Sequence, residues 1–255
     1  MSNIMRTIGR YLMVLTAGGM LAACSTTQKP VVVTPSAVEG KTWVLSSLDG
    51  EPPVDGARVT LEFKPASATE GKVNGHGPCN GYFGGYSIQD KVIRFTPMGS
   101  TMMACAEPVM KQEMSYLTAF HKLDRMTMSG QTLMLSDRDG NRQLTFMSES
   151  AHIRGQVKSS TGSFPGNSQM RVRLQDVSRQ DDRAITLGEE TIKLNYEVKG
   201  PVAFDLAYAP HLIRKNHDYA ISVEVRKKGQ LVYINKSRYP VDLEQTMRIR
   251  AEPVH

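Results

Sequence analysis

The chain has little of what would place it at once. It carries one tryptophan, three cysteines and only 7% aromatic residues, so its composition describes neither a disulfide-dense scaffold nor an aromatic-rich binding surface. No apolar run reaches the roughly 20 residues that a membrane-spanning helix needs. Basic residues never run beyond a few positions and never interleave with aromatics, which excludes a nucleic-acid track. The common catalytic patterns GxSxG, GxxxxGK[ST], HExxH and a GxGxxG opening a βαβ unit do not occur either. No catalytic residue, metal ligand set or cofactor is therefore expected, and the chain reads as non-enzymatic.

What is present is ordinary in bulk. There are 255 residues, 40% hydrophobic and 22% charged, enough for one large domain or two small ones and too apolar for a disordered chain. The informative number is the odd cysteine count, because the three positions call for separate accounts.

The first of them lies at the end of an address. Arg6 and Arg10 form a basic start with no acid nearby, followed by a short apolar run from Tyr11 to Ala23 that Gly18 and Gly19 interrupt. It closes on Leu21-Ala22-Ala23-Cys24-Ser25, which resembles a bacterial lipobox. Residues 1–23 are thus expected to be a cleaved lipoprotein signal peptide, with Cys24 the lipidated first residue of the mature chain. Two or three acyl chains at about 0.8 kcal/mol per buried methylene would hold it on a membrane. Ser25 stands where an Asp would argue for the inner membrane, so the outer membrane, periplasmic side, is the expected location. The full chain has 31 Lys+Arg against 25 Asp+Glu; cleavage leaves 29 against the same 25, a mature charge of +4.

Residues 24–38 are rich in Ser, Thr and Pro and lack helical period, as a flexible tether would. From Trp43 to Met147 the pattern alternates in short runs, WVLSSL, RVTLEF, KVIRF, RMTMS, TLMLS and RQLTF, separated by DG, GG and SG punctuation, which predicts an antiparallel meander. One exception falls at residues 107–123, where Val109, Met110, Met114, Leu117, Phe120 and Leu123 recur at three and four. This spacing predicts an amphipathic helix with Pro108 in its first turn. A second unit starts near residue 151 with HIRGQV, MRVRLQDV, KLNYEV, VAFDLAY, YAISVEVR and LVYI, and such a series of short strands predicts a β-sandwich. The fold class is therefore mainly β or α+β.

Cys79 and Cys105 remain once Cys24 is lipidated, and in an oxidising compartment they form a natural disulfide pair stabilising the fold by about 3 kcal/mol. Glycines crowd the first of them. The segment GKVNGHGPCNGYFGGY, followed by TMMAC and a helix with Glu113 and Tyr116, resembles the META domain, also called HslJ-like, over residues 39–147. Its CNxYxGxY core is present as Cys79, Asn80, Tyr82, Gly84 and Tyr86, while Pro78 stands where many members have glycine. The resemblance implies a curved antiparallel sheet with one packed helix in an envelope protein linked to stress tolerance, and no catalytic mechanism. Residues 151–250 resemble the YbaY/YscW lipoprotein family through IRGQV, VRLQDVSRQDD, PVAFDLAY and YAISVEVRKKGQLVYIN. That resemblance implies a β-sandwich and, for part of the group, pilotin-like help to a secretion-system secretin.

Several residues could carry chemistry. Asn80, Tyr82, Gly84 and Tyr86 could line a ligand pocket or serve only to build the loop and sheet, and an envelope hydrolase using the glycine-rich stretch near Cys79 is the enzymatic alternative. His76 with Cys79 could be half a metal site, though a surface-loop histidine beside a disulfide is simpler. Asp176, Asp181 and Asp182 with Arg179 and Arg183 could be paired carboxylates, though loop closure through backbone bonds explains Asp and Ser there more simply. Met98, Met102, Met103 and Met110 are expected to pack in the core. The expected partners are the membrane through Cys24 and an envelope protein, cell-wall component or secretin.

Overall fold

In the computed structural model, residues 31–179, 184–241 and 245–254 are described. The signal segment 1–23, Cys24, the first part of the tether, Asp181, Asp182 and Arg183 lie outside them. Two curled sheets follow one another along the chain. The first contains β1 (Val31–Val32), β2 (Trp43–Leu48), β3 (Thr60–Pro65), β4 (Glu70–His76), β5 (Gly81–Gln89), β6 (Val92–Phe95), β7 (Gly99–Ser100), β8 (Arg125–Ser129), β9 (Thr132–Ser136) and β10 (Gln143–Ser148), with helices α1 (Pro35–Val38) and α2 (Glu107–Ala119). Its order is β1-β8-β9-β10-β2-β3-β4-β5-β6, with β7 on β5. The two ends approach each other where the Ile93 amide donates to the Asp124 carbonyl at 3.0 Å, so the curved antiparallel sheet is nearly a closed barrel.

The alternating runs became the strands expected of them because each buries one face. Trp43, Leu45, Leu61, Phe63, Val73, Leu133, Leu135, Leu144 and Phe146 fill the interior. Two expectations need correction. The tether does not extend to residue 38: Val31–Val32 pair with β8, and Val38 is buried and accepts the Trp43 indole N–H at 3.0 Å. The helix also turns differently from its apolar spacing. It buries Glu113, Tyr116 and Ala119, leaving Met114 69% exposed and Met110 at the surface, because the Glu113 carboxylate is needed inside, as described below. Met102 and Met103 are exposed as well, and of the four clustered methionines only Met98 packs against the core.

The second sheet contains β11 (Ala151–Ser159), β13 (Ser168–Asp176), β14 (Ile185–Leu194), β16 (Val202–Tyr208), β17 (Tyr219–Lys227), β18 (Gln230–Ile234), β19 (Tyr239–Pro240) and β20 (Met247–Pro253), while β12 (Ser163–Phe164) and β15 (Val198–Lys199) pair with each other in a small two-stranded ribbon beside it. Its main path is β14-β13-β17-β18-β20-β11-β16, antiparallel throughout except for the parallel pair β11 and β20. The expected β-sandwich is corrected here. Two stacked sheets would present two inner faces, whereas these strands belong to one sheet that curls until β14 meets β16. The two edges are so close that a Cβ on Gly188 would lie 2.6 Å from the Ala207 carbonyl, and the Asp205 amide donates to Glu190 at 2.8 Å. The unit is barrel-like. The expected strand KLNYEV also shifts: β14 ends at Leu194, and Tyr196 points into solvent at 83% exposure.

The barrels share a junction at β2. Trp43, Val44 and Leu45 are all fully buried, which a strand with one wet face cannot achieve. Trp43 and Leu45 point into the first core, while Val44 packs with Leu187, Leu206 and Leu212 in the second. Arg58 closes the other side by pairing with Glu149, just past β10, at 2.5 Å. Burial pushes the Glu149 carboxyl up, against the pull of that guanidinium.

Candidate functional site

The residues singled out around Cys79 are brought together, as a node of internal bonds. Cys79 is bonded to Cys105 with Cα atoms 6.1 Å apart, tying the β4–β5 turn to the segment before α2. Behind the bridge, the buried Glu113 carboxylate accepts from the amides of Cys79 and Asn80 and from the Asn80 side-chain amide, each at 2.7 Å. Asn80 Oδ1 accepts from the Thr101 hydroxyl at 2.8 Å and the Met103 amide at 2.7 Å. Gly77 is required here by close approach, since a Cβ would sit 2.9 Å from a Glu113 oxygen. In the sequence Glu113 stands out only as an acid on the buried face of the predicted helix, and its role as acceptor for the Cys79–Asn80 turn comes from the fold.

Tyr82 and Tyr86 face the core. The Tyr116 hydroxyl donates to Tyr82, which donates on to the Thr60 carbonyl, both at 2.8 Å, and burial pushes both phenols up. The Tyr86 ring packs edge-on against Phe63, and its buried hydroxyl has no partner among the described residues. Gly84 packs against Met98. His76 donates through Nδ1 to the Gly77 carbonyl at 2.7 Å. The Glu113 carboxylate and the Asn80 side chain are thus bonded to the loop segments they hold.

A second constellation, at the junction, joins Asp176 to residues distant from it in sequence. A cleft of about 220 Å³ opens between Leu45, Ser46, Pro52 and Pro53 of the first barrel and Asp176, Ile185, Leu187, His211, Arg214 and His217 of the second. Asp176 and His217 meet at 2.6 Å. Ser178 completes the residue types of an acyl-transfer triad, but the wiring is different. Its hydroxyl donates to Asp176 at 2.7 Å, its amide does so at 3.0 Å, and the Asp218 amide donates to its oxygen. A nucleophile must face the imidazole that deprotonates it, so this serine closes a turn. Burial would raise the Asp176 carboxyl, but the bonds from His217 and Ser178 outweigh it and hold the group below its ordinary value. His211 donates through Nε2 to the Leu45 carbonyl at 3.3 Å, and its buried Nδ1 has no partner among the described residues. Burial pushes its pKa down, partly offset by that bond.

Comparison with known families decides what the two barrels are. Residues 36–150 match the META domain. The first barrel is a META domain. Residues 148–252 match the family described as type III secretion system lipoprotein chaperone (YscW), so the second barrel is a YscW-type domain. Among solved structures, an alternative pilotin from the type II secretion system of Vibrio cholerae is 30% identical over 41% of this chain and 96% of that one, with a TM-score of 0.37. A protein from Burkholderia xenovorans solved by NMR is 23% identical over 56% of this chain and 99% of that one, with a TM-score of 0.40. No curated protein matches. In these terms the disulfide and the Asn80–Glu113 node belong to the META domain, and the cleft lies where META strand β2 meets the YscW-type barrel.

Proposed function

We propose that this chain is a non-enzymatic lipoprotein of the bacterial envelope. It is anchored through Cys24 in the outer membrane, faces the periplasm, and uses its YscW-type barrel to escort an envelope partner, with a secretin as the partner the family description favours. The observation that carries this reading is the match of residues 148–252 to a lipoprotein chaperone family. Two features support binding over catalysis: the saturated hydrogen bonding of Glu113 and Asn80, and a Ser178 that serves Asp176 in a turn. The META domain, in contact with the barrel through Val44 and His211, supplies a second surface for holding envelope components under stress. The test is the distribution of secretin multimers in cells lacking the chain, and in cells carrying Cys24→Ser. Loss of outer-membrane secretin in the first, with the variant chain appearing in the soluble periplasm in the second, is expected. Unchanged secretin in both would sink the chaperone role, and a Cys24→Ser chain that stays membrane-bound would sink the anchor.

A further inference from the structure

On the outer face of the META sheet, three strands expose a surface that the barrel itself does not need. Lys64 and Lys72 are direct cross-strand partners in the β3–β4 register, and both are exposed. Like charges placed opposite each other destabilise a sheet, and among the described residues neither ammonium is paired with a carboxylate. Of the acids on this face, Glu62 accepts from Asn74, and Glu70 makes no ion pair among the described residues. One step along β5, Lys72 is opposite Gly85, and Asn74 is opposite Phe83. Phe83 is a large apolar side chain that is 65% exposed. Its ring rests on β7, where a Cβ on Gly99 would come within 2.8 Å of it. Between the lysines, the bare backbone of Gly85 and the ring edge runs an open groove of about 740 Å³, closed at the far side by Thr96 and Pro97.

From this juxtaposition we propose that the groove binds the acidic glycopeptide polymer of the cell wall, sugar rings bearing short carboxylate-rich peptides, and that the META domain is therefore a wall-contacting module. A sugar ring is flat and apolar on one side, which suits stacking on Phe83 beside the bare backbone of Gly85. The carboxylates of such a polymer would lie between Lys64 and Lys72 and remove their mutual repulsion. An anionic lipid surface fits less well, since it calls for a cluster of four to eight cations; this face offers Lys64, Lys72 and Arg94 against Glu62 and Glu70. The inference rests on the envelope location proposed above.

The experiment is co-sedimentation of the full-length chain, in detergent, with purified cell-wall sacculi. Binding is expected to be saturable, weakened by salt, and competed by soluble sacculus fragments. Phe83→Ala should weaken it about tenfold, the loss typical of a central aromatic anchor, and Phe83→Trp should retain it. Lys64→Gln with Lys72→Gln should weaken it several-fold and flatten its salt dependence. Gly99→Ala, which must displace the ring without altering its chemistry, should behave like Phe83→Ala. Unchanged melting curves would establish that each variant is folded. No binding by the parent, binding that Phe83→Ala leaves intact, or competition by phosphatidylglycerol added to the detergent micelles in place of sacculus fragments would overturn the proposal. Fractionation of the same cells separates the two readings: a chain that stays in the envelope but ignores sacculi removes only the glycan site, whereas one absent from the envelope removes both.

Discussion

The two barrels reach similar shapes by different means. The META domain has a helix packed against its sheet, a disulfide and a buried carboxylate, all converging on one turn between β4 and β5. Among its described residues the YscW-type barrel has no α-helix, disulfide or buried carboxylate; β11 and β16 alternate strictly, and its surface carries charge ladders across neighbouring strands. The contrast follows from glycine. Strands β4 and β5 include Gly71, Gly75, Gly81, Gly84 and Gly85, which bury little apolar area and lose more conformational entropy on folding than any other residue. A sheet with that deficit needs support from outside its own ladders, and the Cys79–Asn80–Glu113 node supplies it. The second barrel, richer in alternating Val, Leu and Ile, does not.

The sharpest way to break this contrast is Glu113→Ala. It leaves the Cys79 and Asn80 amides buried without an acceptor, so the META domain should lose about 3–5 kcal/mol, whereas Glu113→Gln, which keeps one carbonyl, should lose less. Chemical denaturation followed by the fluorescence of Trp43, which reports the META core alone, would measure both. If Glu113→Ala left that transition in place, the node would be ornament to a sheet that folds without it. Opening the disulfide should have the next largest effect. Reducing Cys79–Cys105 frees a 26-residue loop and should lower META stability by about 3 kcal/mol, with hydrogen exchange in the second barrel unchanged.

How far these differences could be read from sequence depended on whether the decisive contacts were local. Period-two alternation located β3, β6, β8, β9 and β10, because a half-buried strand imprints its burial on its own residues. The Cys79–Cys105 pair followed from compartment and count. Strands β4 and β5 read as a glycine loop, since strand propensity ranks glycine low and only pairing with β3 holds it extended. The role of Glu113 was hidden because its three donors lie more than thirty positions away. Sandwich and barrel are alike at the level of strand pattern and differ only in whether β14 and β16 meet. The junction cleft was invisible because Leu45, Asp176 and His211 are joined by the fold alone.

The junction should respond to pH in a way that neither barrel does by itself. In the unfolded chain His211 takes up a proton near its ordinary value of about 6.5, while the folded site, buried against Leu45, resists it. The unfolded state therefore binds more protons below that value, and stability falls as pH drops through about 6.5. Asp176 acts in a lower window: its folded carboxyl is held below the ordinary range, so its contribution is present above about pH 4 and is lost as pH falls further. Denaturation midpoints between pH 8 and 5 should thus decline in the parent and flatten in His211→Gln; an equal decline in both would assign the effect elsewhere.

The smallest effect tests the claim that the second barrel stands on its ladders. Arg173 on β13 bridges Glu189 on β14 at 2.9 Å and Glu224 on β17 at 2.6 Å, a charge row across three adjacent strands that Arg171 also joins. Burial would raise the Glu224 carboxyl, but the bonds and charges of Arg226 and Arg173 outweigh it and hold the group below its ordinary value. Partly exposed pairs of this kind contribute little singly, so Arg173→Ala should cost about 0.5–1 kcal/mol, reduced further in high salt. A loss comparable to that of Glu113→Ala would mean that the row is as central to its barrel as the node is to the META domain. The two barrels would then differ in where polar reinforcement sits, at a turn or across a sheet face, and not in whether they need it.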